Sequence, residues 1–430
     1  MSDTIFAVSS GMPPAAIAVM RLSGPLAAAA TRALAETLPP PRRATLRTVR
    51  DPADGATLDR ALILWFPGPH TATGEDLAEF HLHGGRAVVA AVARALGGIP
   101  GLRPANPGEF TRRALTNGRL DLAEAEGLGD LLMAETESQR IAAMASAEGA
   151  VGQAIAAWTR QLLELSARTE ALLEFADEDD VETADDDVAD IAAALGSLSV
   201  SIAAVLTNPP VDRLRDGIRV VLAGAPNAGK STLLNALAER DAAIVSPIAG
   251  TTRDRIEVPV VRDGIAYLLT DTAGLADATD DPIERIGIER ARRAIDESDI
   301  VILLDDTVIP PADARTIRIR PRADLSSDHP EDHRLPVSAR TGRGVQDLWA
   351  RVGETAADLL PRLDRLVLNR RQRDLCAVAA AALKQAEAAR DPLIVAEQCR
   401  IARRAFDRIT GASDTEDMLD ALFGRFCIGK

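Results

Sequence analysis

Eight residues, Gly224–Ser231, read G-A-P-N-A-G-K-S and fit the spacing GxxxxGK[ST]. An apolar run, IRVVLAG, leads into them and STLLNAL follows. A buried strand before and a helix after are the setting in which such a loop wraps phosphates with backbone N–H groups. In this setting Asn227, Ala228, Gly229, Lys230, Ser231 and Thr232 surround the phosphates. Lys230 reaches the β- and γ-phosphates, and the Ser231 hydroxyl ligates Mg²⁺. Two later segments carry matching chemistry. In DTAG, Asp271 can hold the Mg²⁺ water shell, Thr272 and Ala273 continue the loop, and Gly274 can sense the γ-phosphate. In SPIAGTTRD, which runs through Ser246, Pro247, Ile248, Ala249, Gly250 and Thr251, Thr252 is a second Mg²⁺ ligand when the γ-phosphate is present.

These three elements, in this order and spacing, point to a GTPase of the translation-factor type rather than a generic ATPase. Many GTPases place Gln after DTAG to orient the attacking water; here the residue is Leu275, which cannot do so. A carboxylate farther along must serve, and DDPIERIGIER offers Glu284, with Glu289 as its rival. Both also fit plain surface-helix acids. The amide oxygen of Asn227 suits a monovalent cation beside the β/γ-phosphates, supplying the charge that an arginine finger gives elsewhere.

The elements that must position these groups follow from pattern. The chain has 430 residues, 47% apolar and 26% charged, enough for two to four domains. Aromatics are only 3%, so the cores must be Leu, Val, Ile and Ala. TIFAV, AIAVMRLSG, ALILWF and AEFHLHGG read as strands, with helices at 25–37 and 86–96, so 1–118 is an α+β domain. From Leu120 to about Phe175 apolar residues recur at helical spacing. DEDDVETADDD is expected to be a solvated loop, followed by a helix over 188–206 that NPP ends. Residues 217–350 alternate strand and helix, the mark of a mostly parallel sheet, with an Asp-Gly hairpin after RDRIEVPVV. Beyond 355 the chain is helical again. The simplest architecture is multidomain α/β and α: an N-terminal α/β domain (1–118), a helical domain in two pieces (119–214 and 356–430), and a nucleotide domain (215–355) inserted between them.

No run of 18 apolar residues and no secretory signal in MSDTIFAVSS are visible, so a cytoplasmic chain with no membrane association is expected. Cys376, Cys399 and Cys427 fit neither a disulfide framework nor a CxxC metal pattern. A net charge of −15 argues against broad nucleic-acid affinity. The charge is uneven, however. Glu174 to Asp190 holds ten acids and no base, whereas Arg362 to Arg408 holds eleven bases against six acids. The basic stretch is either a solvated helix face or a surface for a phosphate-rich partner.

GAPNAGKSTLLNALAERDAAIVSPIAGTTRD, DTAGL, ERIGIERA and the terminal FCIGK together resemble the bacterial tRNA-modification GTPases of the MnmE/TrmE family. GEDLAEFHLHGG and NPGEFTRRALTNGRLDLAEAE carry the same resemblance, which covers nearly the whole chain. It implies a component of the enzyme that installs a carboxymethylaminomethyl or aminomethyl group on C5 of the tRNA wobble uridine. The family is potassium-stimulated, dimerises through its N-terminal domain, and works as a heterotetramer with a FAD-containing subunit of the MnmG/GidA type. A tetrahydrofolate derivative (5-formyl or 5,10-methylene) supplies the one-carbon unit. FAD belongs to the partner, and this chain has no GxGxxG of its own. By resemblance, the folate contacts fall on Arg21, Glu79, Arg119 and Lys430, the K⁺ ligands on Asn227, Ser246, Ile248 and Thr251, and the catalytic carboxylate on Glu284.

The chain departs from the family at the guanine-reading motif NKxD, which is replaced by Pro321, Arg322, Ala323 and Asp324. Asp324 can still read guanine, and Arg322 can lie over the base. The next signature is intact as Ser338, Ala339 and Arg340. Other readings stay open beside this one. One is a GTPase switch in ribosome assembly, which usually carries a GXXG-bearing RNA-binding tail that the helical C-terminus lacks. Another is a scaffold with a decayed GTPase. Cys427 is either a nucleophile for uridine C6 or a packed thiol. His81 and His83 are either a metal pair or strand-surface residues.

Overall fold

In this computed structural model the structure describes residues 3–174, 184–238, 257–272, 292–310, 315–325 and 333–412, with Phe423, Gly424, Phe426 and Gly429 near the end. They divide into two compact units: Met1–Gly129 with Ala147–Ile155 and Phe406–Lys430, and Asp130–Ser146 with Ala156–Ala405.

The first unit is built on a six-stranded sheet in the order β3-β4-β5-β2-β1-β6. Its strands are β1 (Thr4–Val8), β2 (Ile17–Ser23), β3 (Thr45–Arg50), β4 (Thr57–Phe66), β5 (Leu77–His83) and β6 (Leu102–Pro104). All neighbours run antiparallel except β1 and β6. Helices α1 (Ala27–Ala35) and α2 (Arg86–Gly97) place Ala30, Leu34, Val92 and Leu96 in one core with Met20, Leu22, Ile63 and Phe80. β5 shows the period of two plainly: Ala78, Phe80 and Leu82 are buried, while Glu79, His81 and His83 point to the other face. Near β1, Phe110 of α3 (Glu109–Thr116) packs on Ile5 and Ala7. The four expected strands and both expected helices are present. β3 and β6 were not anticipated. β3 is an edge strand, TLRTVR, with only Val49 buried, so its alternation is mostly polar, and β6 has three residues and ends in proline.

The second unit has a sheet in the order β12-β11-β10-β7-β9-β8. Its strands are β7 (Ile218–Ala223), β8 (Glu257–Arg262), β9 (Ile265–Asp271), β10 (Ile300–Leu303), β11 (Arg315–Arg320) and β12 (Leu335–Pro336). Only the β8–β9 hairpin is antiparallel, and it turns at Asp263 and Gly264 as expected. Helices α4 (Leu122–Met133), α5 (Glu137–Ala147), α6 (Ala150–Glu174), α7 (Ala184–Leu206) and α8 (Asp212–Asp216) precede this sheet in the chain. α9 (Lys230–Ala238) and α10 (Val345–Ala357) belong to it, and α11 (Arg370–Ala388) and α12 (Pro392–Thr410) follow.

The expected acidic loop is shorter than its sequence suggests: α7 already begins at Ala184, so the last residues of DEDDVETADDD are helical. α7 also reaches a mean hydropathy of 1.9 over Asp187–Leu206, long and apolar enough to cross a membrane by length and composition alone. Its apolar positions have a partner, however. Ile191, Leu195, Leu198 and Ile202 are buried, and Ser199 Oγ donates to Ala380 O of α11 at 2.9 Å. Helices from before and after the nucleotide domain therefore pack together, which is the discontinuous helical domain expected. The two chain crossings into the nucleotide domain are also bonded to each other. Asn208 donates to Arg362 O and Leu366 O at 3.2 and 3.3 Å and accepts from Arg362 N at 2.9 Å.

Candidate functional site

β7 lies where the chain reverses its progress across the sheet, with β9 on one side and β10 on the other. Such a point opens a crevice at the carboxyl ends of the strands. Gly224–Ser231 fills it, leading from β7 into α9. Lys230 is 4% exposed, and its ammonium donates to Gly224 O and Ala225 O, both at 2.8 Å. Ser231 Oγ donates to Asp271 Oδ2, and Asp271 ends β9 directly opposite Leu222. A hydroxyl and a carboxylate converge there, a hard oxygen pair of the kind Mg²⁺ takes. Thr272 Oγ1 donates to Leu222 O at 2.8 Å, which fixes the end of β9 to β7.

A cavity of about 230 Å³ opens beside the loop. Ala228, Gly229 and Thr232 form one wall; Pro321, Arg322 and Asp324, after β11, and Ser338, Ala339 and Arg340, after β12, form the other. Ser338 Oγ donates to Asp324 Oδ1 at 2.7 Å, and Arg340 Nε lies 3.2 Å from Oδ2. The Ser338 hydrogen bond, with the Arg340 charge behind it, holds the Asp324 carboxyl below its usual range. Arg322 has a left-handed φ of 54° and donates from Nη2 to Asn227 O at 2.6 Å. The segment that replaces NKxD is thus bonded to the phosphate loop through its arginine.

In the first unit Arg21 and Glu79 are direct partners across β2 and β5, and Arg21 Nε and Nη2 donate to Glu79 Oε1 at 3.0 and 2.8 Å. His81 Nε2 stands 3.4 Å from Glu79 Oε2. Arg119 is exposed and follows α3, its stem beside Gly74. The 71–75 loop there is tied down by Arg113 to Glu75 at 3.0 Å and by Asn117 Nδ2 to Thr73 O at 2.7 Å. The chain end reaches the same sheet: Ser9 Oγ, just past β1, donates to Gly429 O at 2.7 Å.

Residues 4–119 match a family model described as the GTP-binding protein TrmE N-terminus, and 122–427 match the MnmE helical domain. The tRNA modification GTPase MnmE of Rhizorhabdus wittichii is 56% identical, over 100% of this chain and 97% of that protein. That of Erythrobacter litoralis is 53% identical over the full length of both. The chain belongs to the MnmE family of tRNA modification GTPases. Among solved structures, it is also similar to the G domain of the T. maritima FeoB iron transporter, at 25% identity over 32% of this chain and 98% of that one. The TM-score of that pair is 0.23.

GTP is accordingly the nucleotide that a chain of this family binds. Asn227, Ala228, Gly229, Lys230, Ser231, Thr232, Asp271, Thr272, Arg322, Asp324, Ser338, Ala339 and Arg340 gather around one crevice. Ser246, Pro247, Ile248, Ala249, Gly250, Thr251, Thr252, Ala273, Gly274, Glu284 and its rival Glu289 lie outside the described residues, as do Cys427 and Lys430. One residue that supports the phosphate loop was missed by sequence reasoning. Asp305, just past β10, accepts from Ala225 N at 2.7 Å and so holds the first turn of the phosphate loop. Burial raises its pKa, but hydrogen bonds from Thr307 and Ala225 and the charge of Lys230 outweigh this and keep the carboxyl ionised. Its signal was the DD that closes VILLDD at the carboxyl end of a central strand. The two histidines of β5 have separate carboxylate partners, His83 Nδ1 meeting Asp59 Oδ1 at 2.7 Å. Among the described residues no cluster of three metal-ligating side chains occurs. Cys376 and Cys399 are buried, and burial pushes the Cys376 thiol up to about 12.

Proposed function

We propose that this chain is the GTP-hydrolysing component of the enzyme that modifies C5 of the tRNA wobble uridine. It works as a cytoplasmic homodimer, joined by a FAD-containing subunit in a heterotetramer, and it takes a one-carbon unit from a tetrahydrofolate derivative. Its domains are the N-terminal folate-binding and dimerisation domain (1–118), the helical domain (119–214 and 356–430) and the GTPase domain (215–355). The exposed bases of the stretch from Arg362 to Arg408 offer a surface for tRNA phosphates, whereas Arg373 is engaged by Asn208 O and Leu206 O.

In the GTPase domain Lys230 binds and orients the β- and γ-phosphates. Ser231 and Thr252 would hold Mg²⁺, with Asp271 bonded to its water shell. Asn227, Ser246, Ile248 and Thr251 would hold K⁺, which when bound would supply positive charge for the transition state of hydrolysis. Glu284 orients and deprotonates the attacking water. Asp324 accepts from the guanine edge. In the N-terminal domain Glu79 accepts from pterin N–H groups, while Arg119 and Lys430 bind the glutamate carboxylates. Arg21 holds the Glu79 carboxylate in position through Nε and Nη2.

The observation that carries the folate assignment is the docked chain end. Gly429 is bonded to Ser9, at the end of β1, and β1 pairs with the strand that carries Arg21. Gly429 has φ 99°, and a Cβ there would stand 2.1 Å from Val8 O, so no larger residue fits this contact. The test is nucleoside analysis of tRNA from a deletion strain complemented with the wild-type gene or with Gly429→Ala. The wild type restores the modified uridine; Gly429→Ala does not, although the purified variant still hydrolyses GTP. Full modification in the uncomplemented deletion strain rejects the assignment. Turnover that is equal in K⁺ and Na⁺ at one ionic strength rejects the cation site alone.

A further inference from the structure

The two oxygens of Asp324 have partners of unlike character. Ser338, which bonds Oδ1, is 1% exposed, next to the core residue Val337. Arg340, which pairs with Oδ2, has a side chain 78% exposed, against 12% for Asp324. The first contact belongs to the folded strand end, and the second lies over it from solvent. Both Asp324 and Arg340 line the cavity.

Guanine offers two donors on one edge, N1–H and the 2-amino group, and a carboxylate reads them with one oxygen each. Oδ1 has a second lone pair, so it keeps Ser338 while accepting from the base. Oδ2 is engaged by a charged donor that points at the same place. We propose that Arg340 is a specificity-determining residue that competes with guanine for Asp324 Oδ2, so that binding of the base is opposed by this ion pair. The proposal rests on the cavity being the guanine site. An exposed pair of this kind is weak, which makes it a tuner of affinity rather than a block. The rival geometry is a guanidinium laid on the base face, which would favour binding. The two differ in the sign of a mutational effect.

The test uses the full-length protein, with GDP and IDP titrated calorimetrically against wild type, Arg340→Ala and Arg340→Met. IDP lacks the 2-amino group and asks Asp324 for a single acceptor. Removing the guanidinium should tighten GDP about two- to fivefold and IDP by less, so the GDP-to-IDP preference rises in both variants. Unchanged or weaker GDP binding overturns the proposal, as does equal tightening of both nucleotides, which would mark a general charge effect on the phosphates. Asp324→Asn separates this from failure of the site itself. If it weakens GDP and gains XDP while the Arg340 variants do not tighten GDP, only the competition is wrong. If it leaves GDP binding unchanged, the cavity does not read guanine and both ideas fall.

Discussion

At the nucleotide cavity, the working groups hang from loops at the carboxyl ends of parallel strands, and most of their bonds are to backbone. Lys230 grips two loop carbonyls, Arg322 a third, and Asp305 an amide. At the Arg21–Glu79 pair, the groups project from the middle of antiparallel strands, and their bonds are to side chains: to each other, with His81 beside Glu79 and the Phe110 ring under Arg21. A loop held by backbone can keep its shape while a side chain changes partner. A cross-strand pair has no such reserve, because each member is the other's support. The cavity should therefore fail by loss of a charge at the phosphate, and the pair by loss of either member.

The largest effect tests whether the two sites are separate. Lys230→Ala removes the buried ammonium from the phosphates and should lower GTP turnover roughly 100- to 1,000-fold, the range for losing one preorganised donor. Calorimetric binding of 5-formyltetrahydrofolate to the same variant should be unchanged. A parallel loss of folate binding would mean that the two regions do not act independently.

Next in size is the pair itself. Glu79→Ala strands the Arg21 guanidinium and removes the acceptor proposed for the pterin. Charge-assisted hydrogen bonds of this kind are worth about 1.5–3 kcal/mol, so folate affinity should fall about 10- to 100-fold. Basal GTP turnover should stay within about twofold of wild type. Arg21→Ala should fall nearly as far as Glu79→Ala, and the double variant little farther, because coupled partners are not additive.

How legible each region is in sequence follows from the same contrast. The phosphate loop is eight consecutive residues between a buried strand and a helix, so local pattern suffices to find it. Arg21 and Glu79 lie 58 residues apart, and only the β2–β5 register makes them neighbours. Family resemblance named them individually; no spacing rule says that they touch. Asp305 was hidden for a related reason: one carboxylate after a strand has no motif until the strand order places it beside Ala225. β3 escaped because an edge strand buries too little to leave an apolar alternation. The start of α7 escaped because acidic residues read as loop, although the backbone is already helical at Ala184.

A smaller effect concerns what holds the first unit's charges apart from the pair. Arg103 binds Glu109 at 2.6 Å, and Arg113 joins Glu109 to Glu75. Burial raises the Glu109 pKa, but hydrogen bonds from Arg103, Asn106 N–H and Arg113 outweigh it, and the folded value lies below 4.5. A group so depressed stabilises the fold above its unfolded pKa and loses that contribution as pH falls through the folded one. Glu109→Gln should therefore cost about 1–2 kcal/mol at pH 7 and progressively less as pH falls through the folded pKa of Glu109. Urea titration with pulse-labelling mass spectrometry on peptides from 4–116 reads this locally. A cost that does not change with pH would mean that Glu109 acts through shape, not charge.

The smallest effect is expected at the one place where the cavity departs from its family. The family's motif has Asn where this chain has Pro321, so that side chain's contact is absent, and restoring one neutral hydrogen bond is worth about 0.5–1.5 kcal/mol. The structure reduces that figure. Arg322 already donates to Asn227 O at 2.6 Å, and Ala323 N bonds Val337 O at 3.1 Å, so the segment is anchored from both sides without the amide. Pro321→Asn also frees a backbone φ that proline fixes, which offsets part of any gain. GTP affinity in Pro321→Asn should therefore rise by no more than about threefold. Arg322→Ala should cost more in the wild-type background than in the Pro321→Asn background, because beside proline the arginine is, among the described residues of this segment, the side chain that ties it to the phosphate loop. Four affinities measured with a fluorescent GDP analogue close this cycle. A tenfold gain from Pro321→Asn alone would show that Arg322 does not replace the missing contact, and the cavity would then owe its shape to backbone alone.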